Sequence, residues 1–307
     1  MQYLIVIGGA TATGKTALAI WLAQQLGTEI LSADSRQFYR GMDIGTAKPG
    51  LPERAGIPHH FIDSLDVGDA YSVGDFERDA LRVLENIYRA RNTAILTGGS
   101  GLFIQAVCEG LDVFPEVTET ARKQVADGLE QGGIAWLQAM LRDQDPVYYR
   151  QVDVNNPARL RRALEVCLAA GTPYSDFLKK EKPQRAFQPI YVLLDLPRET
   201  LYRRIDERVD AMVRAGLEEE ARALLPFRRL PALQTVGYAE WFDYLDGRTD
   251  RQTAIDKIKQ HTRNYAKRQA TWFRKHGDWA VFAPDARAAV LAYVRRRMSP
   301  EAPSNPG

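Results

Sequence analysis

Cysteine is scarce in this sequence of 307 residues, where Cys108 and Cys167 stand 59 positions apart. The lack of a CxxC pair or a Cys/His cluster excludes a cysteine-ligated zinc site and argues against a disulfide framework. The sequence also has no run of about 18 or more apolar residues that would cross a bilayer. Its first residues lack the basic flank of a secretory signal. We therefore expect a cytoplasmic protein without membrane contact.

The net charge of +2 conceals an uneven distribution. Residues 1–120 carry 9 Lys/Arg and 15 Asp/Glu, whereas residues 121–307 carry 32 and 24. The 45% hydrophobic and 26% charged residues are typical of a globular chain and exclude a disordered or collagen-like protein. The length indicates two domains, or one with a large insertion. A basic second half attracts polyanions, although charged helix faces are often simply solvated.

Short apolar runs and helical spacing alternate along much of the chain. Apolar runs predict buried strands of a parallel sheet at 3–7, 29–32, 93–97 and 189–196. Helical spacing predicts helices at 17–26, 76–90, 102–108 and 201–213. From residue 118 to residue 182 the periodicity is helical, without a clear strand. We predict an α/β fold with a core of residues 1–112 and 189–299, a helical insertion over 113–188 and a flexible tail over 300–307.

The segment Gly9–Thr16 fits the pattern G-x-x-x-x-G-K-[ST] and lies between a predicted strand and a predicted helix. In such a loop, backbone N–H groups and the helix N-terminus bind phosphate oxygens. Lys15 would reach the terminal phosphate, and the Thr16 hydroxyl would join the shell of a Mg²⁺ ion. The motif is typical of nucleotide-binding proteins, but a diphosphate fits it as well as the tail of ATP does. The predicted phosphate-binding residues are Gly9, Ala10, Thr11, Ala12, Thr13, Gly14, Lys15 and Thr16.

Asp34 follows the second predicted strand, at the sheet edge where ligands bind in parallel α/β folds. A carboxylate there could hold Mg²⁺ through water or accept a proton from a substrate amine or hydroxyl. It could equally be a helix N-cap, because Asp and Ser are good capping residues. The spacing leaves both interpretations open. A later Asp195 also ends an apolar strand, and we interpret it as a loop or capping residue.

Several further motifs resemble the bacterial tRNA dimethylallyltransferases, in order, from about residue 4 to 280. They are residues 9–16, 34–39 (DSRQFY), 41–49 (GMDIGTAKP), 98–102 (GGSGL), 159–166 (RLRRALEV), 234–238 (QTVGY) and 267–274 (KRQATWFR). The second, third and last of these are far more specific than the phosphate loop. The departures are mild: Ala10 stands where the family usually has Pro, Thr13 for Ser, Ser100 for Thr and Phe103 for Tyr.

The resemblance implies a P-loop NTPase-like core and transfer of a dimethylallyl group from its diphosphate to N6 of adenine 37, next to a tRNA anticodon. It implies Asp34 as the base, Thr11 beside the reacting groups and Arg208 on the diphosphate. Without the resemblance, Arg208 would be interpreted as forming a surface salt bridge with Glu207 or a neighbouring acid. Mg²⁺ is the implied cofactor, with Thr16 as its ligand, and we expect a monomer.

The same resemblance implies the contacts with tRNA. The expected residues are Asp34, Ser35, Arg36, Gln37, Ser100, Ala158, Arg159, Leu160, Arg161, Arg162, Gln234, Thr235, Val236, Gly237, Tyr238, Lys267, Arg268, Gln269, Trp272 and Arg274. Residues 257–275 contain seven Lys/Arg, no acid and interleaved aromatics, a composition suited to unpaired RNA bases. An amphipathic helix with buried aromatics and solvated charges would have the same spacing.

Three other functions share parts of this pattern. A small-molecule kinase would use the phosphate loop but leaves residues 257–275 and the arginines at 159–162 without a role. An isopentenyltransferase acting on free adenine nucleotides would share Asp34 and the loop. An RNA-binding module would use the loop only to hold a structural anion.

Overall fold

The computed structural model describes residues 1–178 and 183–299, so the tail expected at 300–307 lies outside the described residues. The chain divides into two compact units. The first comprises Met1–Glu109 and the chain from Arg185 onward, and the second comprises Gly110–Gln184. The second unit thus begins three residues before the start, and ends four residues before the end, of the insertion expected at 113–188. No helix in the described ranges is long and apolar enough to cross a membrane.

The first unit is built on a six-stranded parallel sheet, which confirms the predicted α/β class. Its strands are β1 Gln2–Gly9, β2 Ile30–Ser32, β3 His59–His60, β4 Thr93–Thr97, β5 Phe187–Leu194 and β6 Ala280–Phe282, in the order β3-β2-β4-β1-β5-β6. Leu4 and Val6 pack on one face, whereas Ile5 and Ile7 pack on the other. Burial of both faces explains why these strands read as continuous apolar runs.

Helices cover both faces of the sheet. Before the inserted unit they are α1 Lys15–Leu26, α2 Val73–Tyr88 and α3 Gly101–Glu109. After it they are α7 Arg198–Arg214, α8 Leu217–Leu224, α9 Ala239–Leu245, α10 Arg251–Lys275 and α11 Arg287–Met298, because the numbers in between belong to the helices of the inserted unit. Helices α1 and α11 pack on the sheet face that carries Ile5. Helices α2, α3 and α7–α10 contribute to the core on the other face, with Leu4 and Val6. The carboxyl ends of β1, β2 and β4 therefore meet the start of α1 at one edge.

The two outer strands of the sheet were not predicted. β3 has two residues and β6 has three. Strands this short show no usable period-2 pattern, so their pairing depends on neighbours that are distant in sequence. The four strands expected from apolar runs are all present; β4 has the expected bounds, and the ends of the other three differ by at most two residues.

The second unit is helical in its described residues. Its helices are α4 Glu119–Gln144, α5 Pro146–Tyr149 and α6 Pro157–Ala170. Gly133 interrupts α4 with a φ of 62° and a ψ of −160°, a backbone conformation that favours glycine. A core of its own contains Val125, Leu137, Leu141 and Leu160, at the helical spacing that the sequence displays.

Candidate active site

The phosphate loop connects β1 to α1, as predicted. Gly9 has a φ of 149°, and a Cβ at this position would lie 2.7 Å from the carbonyl oxygen of Leu194, so only glycine fits. Gly14 adopts a φ of 90° at the start of α1. Thr13 is fully buried and donates its hydroxyl to Ala10 O at 2.8 Å. The side chains of Ala10 and Thr13 therefore stabilise the loop, and phosphate binding by the loop backbone stays a prediction.

Lys15 is the cation of the loop and is largely withdrawn from water. Its Nζ donates to Ala10 O at 2.7 Å. Burial lowers the pKa of Lys15 to about 8, a shift that nearby Asp34 opposes and Arg208 reinforces. An unpaired ammonium in such a position costs folding free energy. The site is therefore electrostatically prepared for an anion.

A cavity of about 370 Å³ opens beside this loop, within the first unit. It brings together residues that are far apart in sequence. The predicted residues that line it are Thr11, Lys15, Thr16, Asp34, Ser35, Arg36, Gln37, Arg208, Thr235, Val236, Gly237 and Gln269. Its volume suits a small ligand.

Asp34 lies where β2 ends and faces this cavity. Its Oδ1 accepts a hydrogen bond from the backbone N–H of Arg36 at 3.1 Å, so the carboxylate also fixes the local turn. Residues 35–38 form turns and no helix, so the helix-cap interpretation is wrong. One carboxylate oxygen is used by this turn, which orients the group within the cavity.

Arg208 reaches the cavity from α7. Burial lowers the pKa of its guanidinium, and the charge of Asp34 opposes this shift. Its Nη2 lies 3.5 Å from Thr46 O. The alternative pairing with Glu207 is wrong, because Glu207 points to Arg203 at 4.0 Å. Two partly buried cations and one carboxylate thus surround the same space.

Four of the expected tRNA contacts have side chains committed to the protein interior. Gln269 accepts from Thr11 N at 2.9 Å and donates to Gly99 O at 3.0 Å. Tyr238 is fully buried and donates to Glu220 at 2.6 Å. Gln37 is 9% exposed and contacts Thr46 O at 3.4 Å, and Leu160 is fully buried. These four side chains thus support the structure around the site, Gln37 and Gln269 also line the cavity, and the contacts with tRNA stay predictions.

The other expected contacts are more accessible. Exposed members are Ala158, Arg159, Arg161, Arg162, Gln234, Lys267, Arg268 and Arg274. Trp272 is half-buried and stacks on His276, with ring centroids 4.5 Å apart. Arg161 pairs with Glu165 at 2.6 Å. Ser100 receives a hydrogen bond from Ser35 N at 3.3 Å, so it helps to shape the cavity edge.

Residues 257–275 show features of both an amphipathic helix and an RNA-binding segment. Phe273 lies in the core, as an amphipathic helix requires. Lys259 and Arg263 pair with Asp210 at 2.6 Å and Asp206 at 2.5 Å on α7. Tyr265 instead lines the cavity, and burial together with Asp34 raises its pKa to about 12. The other exposed lysines and arginines of residues 257–275 have no acidic neighbour within this segment. They therefore stay available to an anionic partner.

Some cavity residues were missed. Gly45, Thr46 and Ala47 belong to the GMDIGTAKP segment, and His59 and Thr262 also line the space. This segment supports the family resemblance, but its sequence does not indicate that the backbone of residues 45–47 lines the cavity. His59 lies on the two-residue strand β3, which carries no periodic signal.

Oxygen donors suited to Mg²⁺ occur on the cavity wall. Thr16 and Asp34 both line it, and Mg²⁺ prefers such hard oxygen ligands together with phosphate oxygens and water. Among the described residues, no group of three or more His, Cys, Asp or Glu side chains could hold a metal. The donor set fits an ion that arrives with a phosphorylated ligand.

Comparisons with known proteins agree over nearly the whole chain. A model of the IPP transferase family matches residues 37–276. The tRNA dimethylallyltransferase of Christiangramia forsetii is 53% identical over 300 residues, covering 97% of this chain and 99% of the relative. The tRNA isopentenylpyrophosphate transferase of Bacillus halodurans has 34% identity and a TM-score of 0.73, with 97% of each chain covered.

A second solved structure is described as a eukaryotic dimethylallyltransferase acting on tRNA. It shows 27% identity and a TM-score of 0.80, covering 97% of this chain and 78% of that one. The similarity extends through both units, so it includes the helical insertion as well as the phosphate-loop core. This chain belongs to the IPP transferase family and is a prenyl transferase.

Proposed function

We propose that the protein transfers a dimethylallyl group from dimethylallyl diphosphate to the exocyclic N6 of adenine 37, next to the anticodon of a tRNA, and releases diphosphate. The observation that carries this proposal is the convergence of Lys15, Arg208 and Asp34 on one cavity. Two cations suit the leaving group, and a carboxylate suits the attacking amine. The names of the similar proteins supply the substrate class.

The cationic wall would stabilise the leaving group. As the allylic C–O bond breaks, its electron pair moves to the diphosphate, whose negative charge grows. Lys15, Arg208 and the backbone N–H groups of the loop would bind that charge, which lowers the barrier. Thr11 lies on the same wall, with its backbone N–H held by Gln269. Arg is suited to bidentate contacts with phosphate.

Asp34 would act on the amine. As N6 forms its bond to the allylic carbon, the nitrogen becomes positive and must lose a proton. A carboxylate within hydrogen-bond reach would orient the N–H and accept that proton. The turn contact to Arg36 N occupies part of the carboxylate and holds it in one orientation.

Mg²⁺ would be held by Thr16 together with the diphosphate. The ion supplies charge neutralisation for the phosphate oxygens. The protein residues would orient the ligand, and no cluster of carboxylates is needed for this arrangement.

The tRNA would contact the exposed cations of α10 and the arginines of α6. An adenine in an anticodon loop must be turned out of its stack to enter a cavity of this size. Backbone phosphates would be held electrostatically, so tRNA binding should weaken steeply from low to moderate salt.

The test uses radiolabelled dimethylallyl diphosphate with unmodified tRNA, AMP or ATP as separate acceptors. We expect label only in tRNA, at adenine 37 after nuclease digestion. Label in AMP or ATP would favour an enzyme of free nucleotides. Phosphoryl transfer from ATP without prenylation would indicate a kinase and would contradict the proposal, and RNA binding without any turnover would indicate a binding module.

A further inference from the structure

Glu220 lies on α8, outside the cavity lining, yet it accepts four hydrogen bonds. Its Oε2 accepts from the backbone N–H groups of Asp43 at 3.0 Å and Ile44 at 2.8 Å. Its Oε1 accepts from Gly45 N at 2.9 Å and from the Tyr238 hydroxyl at 2.6 Å. Three consecutive N–H groups converging on one point form a nest for an anion. Here the anion is a carboxylate of the same chain.

Tyr238 completes this arrangement. Burial and the charge of Glu220 raise the pKa of its hydroxyl above the usual value, so it stays protonated and donates. Its ring lies against Gly45, where a Cβ would come within 2.6 Å. The carboxylate and the ring therefore fix the backbone of residues 43–45 from two sides.

The segment held in this way forms part of the cavity wall. Gly45, Thr46 and Ala47 all line the cavity. Thr46 O lies 3.5 Å from Arg208 Nη2 and 3.4 Å from Gln37 Nε2. A shift of this segment would therefore move the oxygen that faces the partly buried guanidinium of Arg208.

We infer that Glu220 is a positioning residue for diphosphate binding, acting through residues 43–46 on Arg208. This inference rests on the proposed function only for the identity of the substrate. The substitution Glu220→Gln removes the carboxylate charge and replaces one acceptor oxygen with an NH₂ group. This group is itself a donor and would face the backbone N–H donors. Hydrogen bonds to a charged group are among the stronger ones, so the effect on ligand affinity should be measurable.

The matched pair for the test is Glu220→Gln and Glu219→Gln. Glu219 is the exposed neighbour on α8, and its replacement changes the net charge equally. We expect Glu220→Gln to raise the Kd for inorganic diphosphate, measured by titration calorimetry with Mg²⁺, roughly tenfold, or about 1.4 kcal/mol. The KM for dimethylallyl diphosphate should rise in parallel and the KM for tRNA should stay within about twofold. Glu219→Gln should match the wild type.

Tyr238→Phe provides a milder variant, because it removes one hydrogen bond and leaves the three backbone bonds to Glu220. We expect a Kd for diphosphate raised by about twofold to fivefold. If Glu220→Gln fails to fold, this variant decides the question.

Wild-type diphosphate affinity in either folded variant, or an equal rise of both KM values, would overturn the inference. The diphosphate titration does not depend on the prenyl acceptor. A wild-type protein that fails to prenylate tRNA would therefore refute the proposed function without touching the role of Glu220.

Discussion

Lys15 carries a testable electrostatic signature, because its pKa is lowered to about 8 mainly by burial. A diphosphate needs the protonated ammonium. Affinity for inorganic diphosphate should therefore be highest below pH 8 and fall above it, by up to tenfold per pH unit as the free protein loses this proton. Titration calorimetry between pH 6.5 and 9.5 measures the slope.

The matched control is Lys15→Arg, which keeps its charge throughout this range. Ionisation of the ligand affects both proteins equally. Only the wild type should show the additional slope near pH 8. Equal slopes for the two proteins would show that Lys15 does not titrate there.

Asp34 can be compared with Asp195, since both follow a strand of the sheet. Asp34→Asn should lower the single-turnover rate of prenyl transfer by about 10²–10⁴, the range for loss of a general base. Diphosphate and tRNA binding should persist. Asp195 lies outside the cavity lining and bonds to Leu196 N at 2.9 Å, so Asp195→Asn should have wild-type rates. A near-wild-type rate for Asp34→Asn would refute the base assignment.

Motifs predicted which segments meet at the site better than they predicted what each side chain does. Lys15, Asp34 and Arg208 all reach the cavity. Tyr238 and Gln269, for which only a contact with RNA was expected, hold other segments in place. A short motif is the same whether its side chain faces a ligand or a neighbouring backbone. That choice depends on tertiary contacts which the sequence does not display.

At the scale of elements, α10 joins two loops of the cavity. Gln269 connects the phosphate loop at Thr11 to the turn after β4 at Gly99. Gln269→Ala should lower the free energy of unfolding by about 1–3 kcal/mol, because it leaves a backbone donor and acceptor without their partner. Urea denaturation measures this change.

The control on the same helix is Gln260→Ala, since Gln260 is exposed. It should change the free energy of unfolding by less than about 0.5 kcal/mol. Diphosphate affinity should also fall in Gln269→Ala and remain unchanged in the control. Equal stability of the two variants would contradict the bridging role.

Helices and strands were predicted correctly where the hydrophobic pattern extends over enough residues to be recognised. β4 agrees with the expected 93–97 at both ends, and α1 begins two residues before the expected start. β3 and β6 were missed because pairing across the sheet, and not their own composition, makes them strands. The long-range contact Gln269–Gly99 is similarly invisible in a local pattern.

Over the whole molecule, the basic second half divides unevenly between the two units. Residues 110–184 carry 10 Lys/Arg and 11 Asp/Glu, whereas residues 185–307 carry 22 and 16. The positive excess therefore lies after the insertion, and the insertion itself is close to neutral. Its three arginines at 159, 161 and 162 are a local cluster on α6. Electrostatic attraction of tRNA should therefore depend mainly on the first unit.

The separate cores of the two units allow tRNA binding and diphosphate binding to be separated. Leu160 is fully buried in the second unit, with Val125, Leu137 and Leu141. Leu160→Ala should destabilise that unit by about 2–5 kcal/mol through lost packing. Because the phosphate loop and cavity belong to the first unit, the Kd for inorganic diphosphate should remain unchanged while the Kd for tRNA rises.

The control is the adjacent Arg159→Ala, which removes an exposed charge and leaves the core intact. It should keep the wild-type unfolding curve, weaken tRNA binding and reduce the salt dependence of that binding by about one unit of slope. Leu160→Ala should instead show an early unfolding step monitored by the fluorescence of Trp136, which packs on the same core. A single shifted transition with equal loss of diphosphate and tRNA affinity would mean that the two units unfold as one, and that the insertion supports the diphosphate site as well as the RNA.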